Sequence, residues 1–337
     1  MKRFAVVCAL LLTTVLPAAR ANCLGNEPLR GVNLAGAEFN GERLPGTLFK
    51  DFVYPTDTDL RYFAEQGANT VRLPFRWERL QPTLNAPLDD GELGRIVKAA
   101  ASARKLGLCL ILDAHNFGTY RKQPLGSDTV PAAAFTDFWL RVNEMLPEAD
   151  HLAFGLMNEP AHADRAVWAK AAQDTVLALR QAGSKHLLLV SGGAWSGAHD
   201  WMESSNGPSN AEAFAKLRDP LHRTLIEVHQ YADADASGTH PDCIAPERMR
   251  ALMDRVTAWA STHGQRLFLG EFGIAPSPAC LLTLQAQLDA THREPWAGWT
   301  YWAAGAWWGP TYAYSIHPIN GVTRDQLPLL RKEWLHG

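Results

Sequence analysis

Short apolar runs recur along the chain, and turn-forming residues bound each of them. Eight runs have the length of a β-strand rather than of a helix, and they are apolar on both faces. These runs are Gly31–Ala35, Asn69–Phe75, Leu108–Asp113, Leu152–Met157, Leu187–Ser191, Leu225–Gln230, Leu267–Gly270 and Gly298–Trp302. Strands that are apolar on both faces are typical of a parallel sheet that is covered by helices.

Between these runs, apolar residues recur with the period of an amphipathic helix. The clearest helical stretches are Asp57–Gln66, Asp90–Leu106, Ala132–Leu146, Arg165–Ala182 and Pro246–Thr262. Strand and helix therefore alternate, and eight such units fit a closed (β/α)8 TIM barrel better than an open sheet. No Pro-rich or Ser-rich linker interrupts the alternation, so we expect one barrel domain over residues 22–337.

The first residues have the pattern of a secretory signal peptide. Met1-Lys2-Arg3 is basic, Phe4–Leu16 is apolar, and Ala19 and Ala21 form a small-x-small cleavage site. We expect residues 1–21 to be removed and the mature protein to be secreted, either extracellular or periplasmic. A lipoprotein signal is the alternative because Cys23 follows the cut, but the residues that precede this cysteine are poorly suited to lipid attachment.

The net charge and the lack of a long apolar segment after the leader restrict the kinds of partner that the protein can bind. The formal net charge is −3, so the chain lacks the basic surface that a nucleic-acid binder or a binder of anionic membranes needs. No segment after the leader has the roughly 20 uninterrupted apolar residues of a membrane span. We therefore expect an uncharged partner, no nucleic acid and no membrane.

Four of the five cysteines follow the predicted leader, in what would be an oxidising compartment. Cys243 and Cys280 both lie in loop-like sequence, so we expect them to pair. Cys109 lies in an apolar run, and it and Cys23 could be free thiols. The spacing of the cysteines matches no zinc-ligand pattern.

Two glutamates close short apolar runs. Glu159 follows the run that begins at Leu152, and Glu271 follows the run that begins at Leu267. A single glutamate in such a place is more often a helix cap or a salt-bridge partner. Barrel enzymes, however, carry their reactive groups at the carboxyl ends of the strands, and hydrolysis of a sugar linkage requires two carboxyl groups. The pair therefore favours a glycosidase.

Other polar and aromatic residues lie at the ends of the same runs. This set comprises Arg72, His115, Asn158, His229, Tyr231 and Trp302. His229 and Tyr231 are two residues apart, so on a strand their side chains share a face. Of the 12 tryptophans, those in loop-like sequence could stack on sugar rings, and those in helical or packed surroundings are expected in the core. The first group is Trp77, Trp195, Trp201, Trp302, Trp307 and Trp308, and the second is Trp139, Trp168, Trp259 and Trp296.

Several short motifs carry a family resemblance. They are Thr70-Val71-Arg72-Leu73-Pro74, Asp113-Ala114-His115-Asn116, Asn158-Glu159-Pro160, Val228-His229-Gln230-Tyr231 and Gly270-Glu271-Phe272-Gly273. In this order at strand ends, the set resembles glycoside hydrolase family 5 over nearly the whole mature chain. The segments His229–His240 and Trp195–His199 further resemble the endoglucanases of subfamily 5, which act on cellulose.

The resemblance implies a retaining endo-β-1,4-glucanase that uses no cofactor and no metal and binds a β-glucan such as cellulose. We expect a monomer, although the sequence leaves the oligomeric state open. Glu271 would be the nucleophile and Glu159 the acid that later serves as base. Arg72 and Tyr231 would stabilise the Glu271 carboxylate, and Asn158 would donate to the sugar 2-hydroxyl. The remaining roles would be hydroxyl and carboxyl contacts for His115 and His229, a floor for the reacting ring for Trp302, and stacking on the next ring for Trp195.

Several alternatives remain open at the level of sequence. Asp113 is interpreted as structural, Glu227 could point inward, and Asp233 and Asp235 could line the cleft or only solvate a loop. Mannanase, xylanase and exo-glucosidase activities occur on the same fold. A metal-dependent hydrolase, suggested by Asp113-Ala114-His115, and a sugar-binding barrel without activity are the other two classes.

Overall fold

The computed structural model describes residues 23–204 and 207–336, and it contains a closed barrel of eight parallel strands. The strands are β1 (Leu29–Leu34), β2 (Thr70–Phe75), β3 (Cys109–Ala114), β4 (Leu152–Gly155), β5 (Leu187–Ser191), β6 (Thr224–His229), β7 (Leu267–Glu271) and β8 (Trp296–Ala304). Each strand pairs with its neighbour in chain order, and β8 closes onto β1. The predicted TIM barrel and its eight strands are confirmed, whereas the predicted leader lies outside the described residues.

Nine helices occur in the described part of the chain. They are α1 (Asp57–Glu65), α2 (Trp77–Leu80), α3 (Asp90–Lys105), α4 (Ala132–Met145), α5 (Arg165–Gln181), α6 (Asn210–Phe214), α7 (Pro246–His263), α8 (Pro278–Ala290) and α9 (Leu327–His336). The five predicted helices are confirmed to within one residue at each end. The sequence pattern missed α8 because its apolar residues are not confined to one stripe: Leu282, for example, is 65% exposed.

The helix starts follow from short-range hydrogen bonding. The Thr56 side chain accepts from the backbone N–H of Asp59, and the Asp59 side chain accepts from that of Thr56, which forms a capping box at the start of α1. Asp89 and Asp164 cap α3 and α5 in the simpler way, each with one side-chain oxygen. These caps direct the chain from the loops at the barrel mouth into the helices.

The barrel interior changes from apolar to charged along the strand direction. Side chains two residues apart point to the same face of a strand. On β3, Ile111 lies in the apolar cluster at the base of the barrel and Asp113 follows it on the same face. On β6, Leu225 lies in that cluster and Glu227 follows it. The charged layer therefore lies toward the carboxyl ends of the strands.

The described residues contain two disulfides, with Cα–Cα distances of 5.1 Å for Cys23–Cys109 and 5.4 Å for Cys243–Cys280. The expected Cys243–Cys280 pair is confirmed. The interpretation of Cys23 and Cys109 as possible free thiols is wrong. The backbone N–H of Cys23 donates to the carbonyl of Asp150, just before β4, so this bond and the disulfide to Cys109 hold the beginning of the described chain at the base of β3 and β4.

The four tryptophans expected in the core are buried. Trp77 and Trp201, which were expected to be candidates for sugar stacking, are also fully buried. Trp77 lies on α2 against the rings of Phe135 and Phe138, so it is a core residue despite its loop-like sequence. Among the described helices, none has both the length and the apolar composition that crossing a bilayer requires.

Candidate active site

The guanidinium of Arg72 lies at the centre of the charged layer and is fully buried. Its Nη1 donates to Glu271 Oε1 and to Asn33 Oδ1, both at 2.9 Å. Its Nη2 donates to Asn158 Oδ1, also at 2.9 Å. Because the guanidinium is rigid and planar, these bonds fix the positions of three side chains, one from β1, one from β7 and one from the segment that follows β4.

Asp113 and His115 form a pair beside this guanidinium. Asp113 Oδ1 lies 3.1 Å from Arg72 Nη2, and its Oδ2 lies 2.7 Å from His115 Nδ1. Burial raises the pKa of Asp113 to about 7, and the Arg72 charge opposes this rise. Burial lowers the pKa of His115 to about 3, so this imidazole is neutral. The network then assigns the His115 proton to Nδ1, which leaves Nε2 to accept from Asn158 Nδ2 at 3.3 Å.

Glu227 is buried between the two cations of the site. Its Oε1 lies 2.9 Å from Arg72 Nε and 3.2 Å from His229 Nε2. Burial would raise its pKa, but Arg72 and then His229 outweigh burial and hold the pKa below its usual value. The strand parity of Glu227 with His229 was the sequence signal for this inward position, and the structure bears it out.

The two glutamates that closed apolar runs meet at the mouth of the barrel. Glu271 accepts from the Tyr231 hydroxyl at 2.7 Å through Oε2 and from Arg72 through Oε1. Glu159 Oε1 lies 2.7 Å from His229 Nδ1. A carboxylate oxygen of Glu159, a carboxylate oxygen of Glu271 and a ring nitrogen of His229 all lie within 4.8 Å of one another. The two carboxyl groups therefore belong to one site.

The groups around Glu159 and His229 change the proton affinities of these two side chains. Burial raises the pKa of Glu159, a hydrogen bond from His229 lowers it, and the charge of Glu271 raises it further, with a net rise. Burial alone would lower the pKa of His229, but Glu271, Glu159 and Glu227 raise it to about 10. His229 is therefore an imidazolium that can donate to Glu159 and to Glu227 at once. Burial holds the pKa of Tyr231 well above its usual value, so its hydroxyl is a donor.

The Glu159, His229 and Glu271 group is also the set of side chains that could hold a metal ion within residues 23–204 and 207–336. A metal ligand must offer a lone pair, which the doubly protonated His229 does not have. The adjacent Arg72 charge further disfavours a cation. The donor set thus fits carboxylate chemistry better than a metal-dependent hydrolase.

Aromatic side chains surround the carboxyl pair. Trp302, at the end of β8, stacks on His115 with ring centroids 5.6 Å apart and an interplanar angle of 13°. Trp195 follows β5, is 51% exposed, and forms T-shaped ring contacts with Phe117 and His162, at centroid distances of 6.1 and 6.2 Å. The structure therefore brings eight of the nine expected site residues into one contact network and leaves Trp195 at the rim.

The two aspartates that the sequence left undecided lie in the loop after β6. Asp233 is buried and accepts from the backbone N–H groups of Gly238, Thr239 and His240, so it organises the loop rather than the cleft. Asp235 is exposed. Sequence reasoning missed Asn33, and a polar residue inside an otherwise apolar strand was the available signal.

The sequence of this chain matches a family of sugar hydrolases. The family model described as Cellulase (glycosyl hydrolase family 5) matches residues 32–306. The endo-β-1,4-glucanase B of Emericella nidulans is 29% identical over 295 residues, which cover 87% of this chain and 87% of that protein.

Solved structures agree with the sequence comparison. The crystal structure of a triple mutant of an endo-β-1,4-glucanase from Xanthomonas axonopodis pv. citri is 44% identical, with a TM-score of 0.90, and the match covers 92% of this chain and 100% of that chain. The structure of XacCel5A in complex with cellopentaose is also 44% identical, with a TM-score of 0.88 and coverage of 92% and 100%.

Proposed function

Because this chain belongs to glycosyl hydrolase family 5, we propose that it is a retaining endo-β-1,4-glucanase that hydrolyses internal β-1,4-glucosidic bonds of cellulose or a related β-glucan. The observation that carries this proposal is the approach of Glu159 and Glu271, which place a carboxylate oxygen of each within 4.8 Å of the other. Retaining glycosidases have carboxyl groups about 5 to 5.5 Å apart, whereas inverting enzymes need about 6.5 to 9.5 Å to fit a water molecule.

The first step assigns different roles to the two glutamates. Glu271, held by Arg72 and Tyr231, attacks the anomeric carbon and forms a glycosyl ester. The bond to the leaving sugar oxygen breaks, and Glu159 transfers its proton to that oxygen. The raised pKa of Glu159 supports its role as the acid, because it favours the protonated form of this carboxyl group.

In the second step, Glu159 acts as a base and Glu271 is the leaving group. Once Glu271 is a neutral ester, its repulsion of Glu159 ends and the pKa of Glu159 falls. Glu159 then accepts a proton from water as that water attacks the anomeric carbon, and Glu271 leaves as a carboxylate. Two inversions give net retention of configuration. The imidazolium of His229 stabilises the Glu159 carboxylate that exists between the two steps.

Neighbouring side chains are assigned to the sugar. Asn158, held by Arg72 and His115, donates to the 2-hydroxyl of the reacting ring, where the bond strengthens as charge develops. Trp302 forms the floor for this ring, and His115 holds a neighbouring hydroxyl. Trp195 is assigned to the next ring on the leaving side, because it follows β5 and lies near the Glu159 end of the site.

The test is the release of reducing ends from carboxymethylcellulose by Glu159→Gln and Glu271→Gln. Both substitutions preserve size and should abolish turnover, while Glu144→Gln, on the exposed outer surface of α4, serves as the matched control. Retained activity in both site variants would refute the assignment. A wild-type protein that binds glucan without turnover would instead indicate a sugar-binding barrel.

Substrate and mode of attack are tested separately. Soluble β-glucan, mannan and xylan should be compared, and a preference for mannan or xylan would contradict the glucanase assignment. In early digestion of a long glucan, viscosity should fall faster than sugar is released, because internal cuts shorten chains most. An exo-acting enzyme would release sugar with little change in viscosity.

We also propose that the protein is exported after cleavage near Ala21. The support is the leader-like sequence together with two disulfides, which persist in oxidising compartments. Mass spectrometry of the protein recovered from the periplasm or the medium tests this, and an intact leader on the recovered protein would contradict it.

A further inference from the structure

Glu38, in the loop after β1, is a buried carboxyl group to which the mechanism above assigns no role. The residue is only 8% exposed. The backbone N–H of Gly36 donates to Oε2 at 2.7 Å, whereas Oε1 is buried and has no hydrogen-bond partner among the described residues. Glu38 lines a groove of about 980 Å³ that continues to His115 and Trp302. An unpartnered polar atom beside a cleft is a candidate contact for a ligand.

The charges around Glu38 favour the protonated acid. The ionisable groups that face it are Arg76, Glu78, Arg79, Asp113, His115 and Glu271. Burial, followed by repulsion from Asp113 and Glu271, raises the pKa of Glu38 to about 8. The two arginines are engaged elsewhere: Arg76 donates to the carbonyl of His115, and Arg79 donates to the carbonyl of Ala37.

Hydrogen bonding decides which oxygen carries the proton. Oε2 already accepts from Gly36, so the proton belongs on Oε1. That O–H group has no acceptor within the described protein. A buried donor without an acceptor is costly, and a sugar hydroxyl can satisfy it.

The position of Glu38 indicates which part of the substrate it meets. Glu38 follows β1, whereas Glu159 follows β4 and Trp195 follows β5, across the barrel mouth. The acid must adjoin the leaving oxygen, so the leaving part of the glucan lies toward β4 and β5. The part retained on Glu271 therefore lies toward β1.

We propose that Glu38 is a specificity-determining residue of the cleft, whose carboxylic acid donates a hydrogen bond from Oε1 to a sugar hydroxyl on the glycone side of the scissile bond. This inference rests on the proposed glucanase function. It makes Glu38 a donor and not an acceptor, a distinction that glutamine can test. In Glu38→Gln, the Gly36 N–H selects the amide oxygen, which leaves the amide NH₂ to donate into the groove.

The experiment measures the affinity for cellotetraose by calorimetry in a Glu159→Gln background, where the ligand is not consumed. Adding Glu38→Met, which has similar length but no donor, should weaken binding about three- to tenfold. Adding Glu38→Gln instead should recover the affinity to within about twofold of the background. Unchanged binding in Glu38→Met would overturn the contact, and equal losses in both variants would overturn the donor role.

The number of protons taken up when the ligand binds is a second measurement, and a purely structural role of Glu38 would not affect it. At pH 8, about half of the Glu38 side chains are ionised, and binding that requires the acid must take up protons. Calorimetry in buffers of different ionisation enthalpy should detect this uptake in the Glu159→Gln protein and a smaller uptake after Glu38→Gln. Equal uptake would contradict the inference. Binding without any hydrolysis by the wild type would refute only the proposed function.

Discussion

The ring of Tyr231 packs directly against Gly238, so closely that a β-carbon at position 238 would lie 2.9 Å from the ring. Gly238 belongs to the loop that Asp233 organises, and it has a φ of 73°. The loop thus limits where the Tyr231 hydroxyl can lie, and this hydroxyl donates to Glu271.

Replacing Gly238 by alanine should displace Tyr231 and lower kcat about 10- to 100-fold, the range for losing a hydrogen bond to a charged group. Tyr231→Phe should give a loss of similar size. Gly264→Ala is the matched control, because Gly264 also has a positive φ of 63° but no neighbour within 4 Å of an added β-carbon. An equal reduction of kcat in Gly238→Ala and Gly264→Ala would show that backbone strain, rather than displacement of Tyr231, lowers the rate.

The activities of the Glu159 and Glu271 variants should depend differently on the leaving group of the substrate. Glu159→Gln should lose about 10²- to 10⁴-fold of its activity on cello-oligosaccharides, but much less of its first-step rate on 2,4-dinitrophenyl β-cellobioside, which needs no proton. Azide should then accelerate turnover of that substrate and yield a β-glycosyl azide. Glu271→Gln should be inactive on both substrates and insensitive to azide. The reverse pattern would exchange the two roles.

Glu227 should act on His229 rather than on substrate. Removing its charge in Glu227→Gln takes away one of the carboxylates that raise the pKa of His229 to about 10, so that pKa should fall. NMR titration of the imidazole measures the change. Because one partner of a buried pair with Arg72 is also lost, Glu227→Ala should reduce the free energy of unfolding by about 3–5 kcal/mol. An unchanged His229 pKa would argue against this electrostatic link.

Glu38 should make stability depend on pH. Its pKa is about 8 in the folded protein and about 4.5 for an ordinary glutamate, so above pH 4.5 the unfolded chain ionises first and unfolding becomes more favourable. Glu38→Gln stays neutral throughout. Its Tm relative to wild type should therefore be lowest near pH 4, rise with pH, and level off above pH 8. A difference in Tm that does not vary with pH would contradict the raised pKa.

Trp195 should matter only for substrates that reach the leaving side of the cleft. Trp195→Ala should raise KM for cellopentaose about two- to tenfold, which corresponds to the loss of an aromatic contact. KM for 4-nitrophenyl β-cellobioside should change little, because this substrate places only a small ring there. If KM for both substrates rose equally, Trp195 would be stabilising its loop instead.

The strand ends could be found from the sequence because a closed parallel barrel leaves a regular pattern. In the sequence, each strand is a mostly apolar run that ends where the chain reaches the barrel mouth. The polar residue at that end stands out from the run, as Glu159 and Glu271 do. Parity along β6 then indicated the inward position of Glu227. Local pattern was sufficient wherever one strand determined the position of a side chain.

Features that depend on distant segments could not be found in this way. Cys23 and Cys109 are separated by 86 positions, and only the closed fold brings them together. Trp77 is buried by rings from α4, and nothing in its own sequence indicates this. Glu38 lies in a loop without periodicity, and its raised pKa results from burial in the folded protein and, to a lesser extent, from carboxylates on β3 and β7.

The convergence on Arg72 constrains how this cleft could diversify. The Arg72 guanidinium contacts five side chains: Asn33 on β1, Asp113 on β3, Asn158 after β4, Glu227 on β6 and Glu271 on β7. Because all five share this one group, none of them can change size or charge alone. Variation in sugar preference must therefore arise in peripheral positions such as Glu38 and Trp195. Laboratory evolution toward hydrolysis of new polysaccharides should accumulate substitutions in those loops and leave the residues around Arg72 unchanged.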